Sequence, residues 1–144
     1  MKCSEAGLEF IAEYEGFRDT AYPDPGTGGA PWTIGYGRAH GVKQGDTCIK
    51  EQALEWLRDD IGTAERCINQ SVTSVLTQNQ HDSLCSWVYN LGCGALRNSN
   101  LLRCINQGND VQAAKEILKW DYSAGRVMAG LTKRRQAESE LFLT

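Results

Sequence analysis

The strongest constraint on the fold is a concentration of glycine in one short stretch of the chain. Seven of the 15 glycines fall within residues 26–45, at positions 26, 28, 29, 35, 37, 41 and 45. Glycine weakens helices and permits the positive-φ conformations of tight turns. The stretch therefore predicts a small β-lobe at about residues 16–48, with extended pieces at residues 17–22 and 32–37.

Two acidic residues lie at the start of this lobe, in unlike settings. Glu15 follows Leu8 and Ile11 on one face of a predicted helix, and burial on an apolar face disfavours an ionised carboxyl, so we expect Glu15 to hold a proton. Asp24 lies between two prolines in a turn that we expect to be solvated. Most pairs of Glu and Asp that lie nine residues apart are surface residues. A protonated and an ionised carboxyl are nevertheless what glycoside hydrolysis requires.

The motifs around these acids resemble the signature of the bacteriophage lysozymes (endolysins, muramidases). The similarity is carried in order by Glu15-Gly16, Ala21-Tyr22-Pro23-Asp24, Thr33-Ile34-Gly35-Tyr36-Gly37, Tyr89-Asn90-Leu91-Gly92, Leu101-Leu102-Arg103 and Arg134-Arg135. A glycine-rich string alone would be a weak signal, but collinear motifs over nearly the whole chain are specific.

The resemblance implies a lysozyme-like α+β fold, in which a small β-hairpin lobe and a larger helical lobe are joined by a long bridging helix, with the active-site cleft between the lobes. It implies that Glu15 is the general acid, that Asp24 is the second carboxylate, and that the Thr33 hydroxyl helps to position the attacking water. The loop at residues 25–32 is longer than in the shortest members of the family.

The resemblance also implies which residues bind the substrate: Gly35, Tyr36, Gly37, Tyr89, Asn90 and Arg103. Aromatic rings and amides suit sugar faces and N-acetyl groups, although Tyr89 fits almost as well as a plain core residue. The expected reaction is hydrolysis of the β-1,4 bond between N-acetylmuramic acid and N-acetylglucosamine in peptidoglycan, with lysis of the bacterial wall. We favour inversion, because the expected water attack comes from the opposite face.

Two other functions stay open. A lytic transglycosylase needs an acid but no water-activating carboxylate, so the presence of Asp24 with Thr33 argues against it. A non-catalytic peptidoglycan-binding module would not need Glu15, Asp24 and Thr33, so the presence of all three residues argues against this function. No cofactor or metal is expected, because the two histidines and six cysteines show no metal-ligand spacing.

The six cysteines are many for a cytosolic protein. Cys67 and Cys85 fit apolar helix faces and are predicted to be small core residues. One or two disulfides formed in an oxidising periplasm are compatible with this count, but the sequence does not identify their partners.

Composition predicts an ordinary globular chain, with 41% hydrophobic and 23% charged residues and a net charge of −3. The acidic balance argues against nucleic-acid binding. The basic trio Lys133-Arg134-Arg135 is either a patch that steers the protein to its substrate or a solvated helix face with Arg134 paired to Glu138. No stretch approaches the ~20 apolar residues of a membrane span, and no secretory signal is evident.

These features predict a single catalytic domain over residues 1–144 that is a monomer without membrane insertion. If it is an endolysin, we expect it to wait in the host cytoplasm until a holin-type pore opens the inner membrane, and then to act on the wall in the periplasm. Its partner is peptidoglycan.

The helices are predicted from periodicity and caps. Ser4 caps a helix over residues 4–15, a bridging helix covers about residues 50–69, and the helical lobe covers about residues 70–144 plus the first helix. Ile49 stands where the family favours Thr, which with Gln52 would form a capping box. Thr77 and Gln80 form such a box for the next helix.

The remaining expectations concern the C-terminal half. We expect His81 to be a partly exposed structural residue. Ser99 and Asp110 are predicted to cap two short helices, residues 120–130 to form a loop with at most a helical turn, and the final helix to cover about residues 131–142.

Overall fold

The computed structural model describes residues 1–144, which form eight helices and four short strands. The strands pair as two antiparallel hairpins, β1 (Arg18–Tyr22) with β2 (Thr33–Gly35) and β3 (Tyr122–Ser123) with β4 (Arg126–Val127). The helices are α1 (Glu5–Glu15), α2 (Lys50–Asp60), α3 (Gly62–Ser71), α4 (Gln78–Leu91), α5 (Cys93–Arg97), α6 (Asn100–Asn106), α7 (Asp110–Ile117) and α8 (Ala129–Phe142). The α+β class predicted from the sequence is confirmed.

The chain divides into two compact units. The hairpin unit is Leu8–Gly62, and the helical unit is Met1–Gly7 with Thr63–Thr144. Most of α1 therefore belongs with the β1–β2 hairpin, whereas the sequence had assigned this helix to the helical lobe. None of the eight helices combines the length and the apolar character needed to cross a lipid bilayer.

Helix α1 begins and ends as its sequence predicts. The Ser4 hydroxyl accepts a hydrogen bond from the Gly7 N–H at 3.0 Å, which satisfies a free donor of the first turn. Leu8 and Ile11 are buried. Gly16 follows the helix with φ of 72° and donates its N–H to Ala12 at 3.2 Å, so the chain turns away at once.

The β1–β2 hairpin pairs Arg18 with Gly35 and Tyr22 with Thr33. Helix α2 packs on β2 so closely that a Cβ at Gly35 would lie 3.0 Å from the Cβ of Ala53, and Gly35 has a φ of 66°. Glycine is therefore required at residue 35 by packing as well as by backbone conformation.

The predicted bridging helix is two helices that meet at Ile61. This residue caps α2, and α3 starts at Gly62. The apolar period continues across the break, with Leu57, Ile61 and Ala64 all buried, so periodicity did not reveal it. Glycine has a low helix propensity, which favours the interruption at this point.

Helix α4 is the centre of the helical unit and is buried from Gln80 to Val88. Its predicted capping box is confirmed, since the Thr77 side chain accepts from the Gln80 N–H and the Gln80 side chain accepts from the Thr77 N–H. A disulfide joins Cys67 to Cys93. Cys67 is therefore not the simple core residue that we expected, whereas Cys85 is a free, buried thiol.

The basic trio on α8 does not form a surface patch. Arg134 and Arg135 are buried, and both pair with the buried Glu138, with Arg135 Nε 2.7 Å from Glu138 Oε1. Only Lys133 is exposed. The predicted pairing of Arg134 with Glu138 is confirmed, but it is an interior ion pair because α8 packs against α4, where Ser86 also donates to Glu138 at 2.5 Å.

Three further expectations for the helical unit are wrong. His81 is fully buried. Helix α7 is capped by Asn109, whose side chain accepts from the Gln112 N–H, and Asp110 is the first helical residue. Residues 122–127 form a hairpin whose two central residues, Ala124 and Gly125, have φ of 53° and 78°. Positive φ at both positions is the geometry of a tight two-residue hairpin turn.

Candidate active site

Glu15 is the last residue of α1, and its carboxyl lies against the end of the β1–β2 hairpin. A Cβ at Gly37 would be 3.5 Å from Glu15 Oε1, and Gly37 has a φ of 98°. Glu15 is half-exposed rather than buried. The apolar face that buries Leu8 and Ile11 ends with the helix. The apolar surroundings predicted for Glu15 therefore enclose only part of its side chain.

Asp24 lies in the loop between the two strands, and its carboxylate is held by the backbone of that loop. Oδ2 accepts hydrogen bonds from the N–H groups of Gly26 and Thr27, both at 3.1 Å. The Asp24 backbone closes the same turn, with its N–H donating to Gly29 at 2.9 Å and its carbonyl accepting from Gly28 at 2.8 Å. The residue is half-exposed, as expected for a turn. These bonds fix the direction of the carboxylate.

Thr33 is the first residue of β2 and the cross-strand partner of Tyr22. Tyr22 is the last residue of β1 and lies two positions before Asp24. The register of the hairpin therefore brings Thr33 beside the base of the loop that carries Asp24. Glu15, Asp24 and Thr33 all belong to the hairpin unit.

The three hairpin residues with a predicted role in sugar binding differ in exposure. Gly37 is exposed, but Gly35 and Tyr36 are buried. The Tyr36 ring packs on Phe17 with 5.6 Å between ring centroids. Burial raises the pKa of the Tyr36 hydroxyl, and the nearby Cys48 adds to the shift. Gly37 is thus the one of these three residues that presents its backbone at the surface beside Glu15.

The other three predicted binding residues belong to the helical unit. Tyr89 is half-buried near the end of α4, and Asn90 beside it is exposed. Asn90 Oδ1 accepts from Arg135 Nη2 at 2.9 Å, which fixes the orientation of the amide. Arg103 is exposed on α6 and donates to Asn100 Oδ1 at 2.7 Å.

An ion pair next to the hairpin was not anticipated from the sequence. Arg38 follows Gly37 directly, and its Nη1 lies 3.6 Å from Asp60 Oδ1, while its guanidinium stands 5.4 Å from the ring centre of Trp56. Burial raises the pKa of Asp60, and the charge of Arg38 opposes that shift. The pair ties the end of the hairpin to the last turn of α2. No sequence spacing links residues 38 and 60, so nothing pointed to it.

The site contains no arrangement for a metal. Across residues 1–144, no group of three or more His, Cys, Asp or Glu side chains is placed to hold a metal ion. The chemical groups present are two carboxyls, one hydroxyl and exposed glycine backbone. Such a set can donate a proton, accept one and position water.

Comparison with known proteins places the chain in one family. The sequence model described as Phage lysozyme matches residues 12–138. The endolysin of Acyrthosiphon pisum secondary endosymbiont phage 1 is 41% identical over 148 residues, which cover 99% of this chain and 98% of that protein. The endolysin of Bacillus phage B103 is 41% identical over 145 residues, and this chain spans 55% of its length.

The solved structures agree with the sequence comparison. The muramidase domain of SpmX from Asticaccaulis excentricus superposes with a TM-score of 0.91 at 37% identity, covering 99% of this chain and 98% of that domain. The fold is therefore lysozyme-like. The chain belongs to the phage lysozyme family, and it is a peptidoglycan-degrading glycoside hydrolase.

Proposed function

We propose that this protein is a muramidase that cleaves the β-1,4 bond between N-acetylmuramic acid and N-acetylglucosamine, with Glu15 as the general acid. The observation that carries the proposal is the placement of two carboxyls on one hairpin unit. Glu15 stands beside the exposed backbone of Gly37, and Asp24 is held by two backbone N–H groups. A glycosidase of this type needs two carboxyls with different roles.

In the proposed reaction, Glu15 donates its proton to the bridging oxygen as the sugar ring develops oxocarbenium character. Asp24 Oδ2 is held by the loop, and Oδ1 accepts a proton from the attacking water. The Thr33 hydroxyl, at the base of the same loop, orients that water. This division of roles gives inversion, for which the two carboxyls should stand roughly 6.5–9.5 Å apart to leave room for water.

We assign substrate contacts to Gly37, Tyr89, Asn90 and Arg103. Since Asn90 Oδ1 is occupied by Arg135, the Asn90 amide presents its N–H donors outward, where they suit an N-acetyl carbonyl. Gly35 and Tyr36 support binding from inside the unit by shaping the hairpin. The proposal also includes a monomeric enzyme that reaches the wall through a holin-type pore, as the resemblance to phage endolysins implies.

The test is the loss of turbidity of purified peptidoglycan or permeabilised Gram-negative cells. Wild type should clear the suspension, while Glu15→Gln and Asp24→Asn should be slower by roughly 100-fold or more. Asn at residue 24 keeps an oxygen for the Gly26 and Thr27 N–H groups, so folding should survive. The matched control is Asp19→Asn, an exposed carboxylate on β1 that accepts only from the neighbouring Thr20 hydroxyl at 3.2 Å.

Product analysis then identifies the bond and the reaction. Reducing N-acetylmuramic acid ends of inverted configuration support the proposal. A 1,6-anhydro sugar would identify a lytic transglycosylase instead. A Glu15→Gln variant that still clears the wall would mean that the general acid is misassigned. Folded wild type that binds the wall without clearing it would point to a binding module.

A further inference from the structure

Two of the four free cysteines lie together in the interior of the helical unit. Cys3 and Cys85 are both buried, with exposed fractions of 4% and 0%. The Cys3 thiol lies close enough to Cys85 to raise the pKa of the Cys85 thiol. The other two free cysteines are apart from this pair, Cys48 in the hairpin unit and Cys104 on α6.

Backbone contacts of the N-terminal segment hold Cys3 in this place. The Cys3 N–H donates to Glu65 Oε2 at 2.7 Å, and the Ser4 N–H donates to Asp82 Oδ1 at 2.9 Å. The Ser4 hydroxyl also bonds the Asp82 carboxylate. Asp82 and Cys85 are three residues apart on α4 and share one helix face. The contacts that dock residue 4 at Asp82 therefore bring Cys3 alongside Cys85.

A neutral histidine ring accompanies the pair. Asn69 donates through Nδ2 to the Met1 carbonyl at 2.8 Å, so its Oδ1 is the acceptor that faces His81 Nε2 at 3.2 Å. His81 therefore carries its proton on Nε2 and presents an unprotonated Nδ1 to Cys85 Sγ at 3.5 Å. Burial lowers the pKa of His81, which keeps the ring neutral and able to accept a proton.

We propose that Cys3 and Cys85 are a site of disulfide formation, closed by exchange with a small-molecule disulfide such as oxidised glutathione. Once exposed, Cys3 gives its proton to solvent, and its thiolate attacks the small disulfide, forms a mixed disulfide and releases one glutathione thiolate. Cys85 then transfers its proton to His81 Nδ1 and attacks the Cys3 sulfur, which releases the second glutathione thiolate. His81 returns the proton to solvent. In sum, two protein thiols and one small disulfide become one protein disulfide and two small thiols.

The first step requires the N-terminal segment to open, because both sulfurs are buried. The pKa of Cys85 is raised, first by the neighbouring Cys3 thiol and then by burial. Cys85 thus stays a thiol until a base removes its proton. Residues 1–4 are docked by a few hydrogen bonds, whereas α4 is buried from Gln80 to Val88, so this segment opens more readily than α4. Closure of the disulfide would tie this segment to the central helix of the unit.

The experiment uses full-length protein incubated under native conditions with excess oxidised glutathione, then unfolded, alkylated and mapped by peptide mass. The expected result is one Cys3–Cys85 linked peptide, beside the existing Cys67–Cys93 link, and a melting temperature higher by roughly 5–15 °C. Cys104→Ser, which removes the other buried free thiol, should give the same link and the same shift. Cys3→Ser should give neither.

The intermediate steps give a second test. Low concentrations of urea should speed the linkage, since they favour opening of residues 1–4. His81→Gln removes the base and should slow conversion of the mixed disulfide at Cys3 to the linked product, by roughly 10-fold or more. A Cys85 that remains alkylatable while Cys3 carries glutathione indefinitely would overturn the proposal. So would an unmodified Cys3 after oxidation in sub-denaturing urea.

Discussion

Gly37 determines how closely the hairpin backbone approaches the Glu15 carboxyl. Its φ of 98° is one that other residues rarely adopt, and a Cβ there would stand 3.5 Å from Glu15 Oε1. We predict that Gly37→Ala costs about 1–2 kcal/mol of stability through backbone strain. It should also slow wall clearing by roughly 10- to 100-fold, because the methyl group takes space beside Glu15, where we propose that the substrate lies.

The control for this prediction is Gly41→Ala. Gly41 also has a positive φ, 72°, but a Cβ there meets open space. Urea unfolding should show a similar loss of stability for both variants, whereas initial clearing rates per folded molecule should fall only for Gly37→Ala. Equal activity in the two variants would mean that the space beside residue 37 is not used by substrate.

His81 makes the stability of the protein depend on pH. Burial lowers its pKa, with the N-terminal ammonium acting in the same direction and Asp82 and Glu65 opposing. As the pH falls, the unfolded chain therefore binds a proton at His81 before the folded protein does, near the ordinary pKa of about 6.5. Stability from the neutral ring is complete above that value and is lost as the pH falls below it.

We predict that wild type loses more unfolding free energy than His81→Gln between about pH 7.5 and about pH 5.5. Gln keeps a side-chain donor for Asn69 but cannot take up a proton in this range. Urea titrations at both pH values measure the difference in unfolding free energy. His40→Gln, at an exposed histidine, controls for the loss of a histidine. Parallel curves for wild type and His81→Gln would contradict the prediction.

Residue chemistry was predictable from the sequence where it depends on near neighbours. Asp24 was placed in a turn because prolines and glycine surround it, and its carboxylate is bonded within three residues. The burial of His81, Arg134 and Arg135 depends on which helices pack together. Apart from the neighbouring Glu138, the residues that hold these side chains in the interior lie on other helices. A local pattern therefore described them as surface groups.

At the scale of elements, α2 and α4 differ in how they begin. Helix α4 has a complete capping box, whereas Ile49 at the N-cap of α2 makes no side-chain cap. The backbone of Ile49 already has N-cap geometry, with φ of −100° and ψ of 164°, and its side chain is 65% exposed. Little apolar burial would be lost by replacing it.

We predict that Ile49→Thr stabilises the protein by about 1 kcal/mol, because Thr can accept from the N–H of Gln52 and form a capping box with it. Urea unfolding measures the gain, and wall clearing should not change. Ile49→Val, which keeps a β-branched shape but offers no hydroxyl, should be neutral. A Thr variant no more stable than the Val variant would show that the free N–H groups at the start of α2 already have other hydrogen-bond partners.

Elements were predictable where they carry a repeating pattern or a strong cap. Helix α4 was predicted from Thr77 and Gln80, and the α2–α3 region from its apolar period. The hairpin at residues 122–127 was missed because its turn is Ala124-Gly125. This turn lacks the Asn or Asp that usually indicates two positive φ angles in a sequence. Two-residue strands also leave too little alternation to detect.

For the whole molecule, the disulfide between Cys67 and Cys93 acts on the helical unit alone. It joins α3 to the first residue of α5, and the segment between them contains α4 with its buried face. The sequence showed that six cysteines were available, but their pairing depends on how these helices pack. In the unfolded chain the bond closes a loop with a sequence separation of 26 residues.

We predict that the double variant Cys67→Ser with Cys93→Ser loses about 3.5 kcal/mol of unfolding free energy, the loop-closure entropy of a bond over that separation. Urea unfolding of freshly purified protein measures it, and reduced wild type should unfold at the midpoint of the double variant. Cys48→Ser, at a half-exposed free thiol, should leave the midpoint unchanged. Glu15, Asp24 and Thr33 belong to the hairpin unit, and Tyr89 and Asn90 keep their places while the helical unit is folded, so the double variant should clear cell walls at the wild-type rate at temperatures where it remains folded. If it kept the wild-type midpoint, the bond would contribute nothing to stability. If it lost activity while folded, the bond would be needed to position the substrate-binding residues proposed in the helical unit.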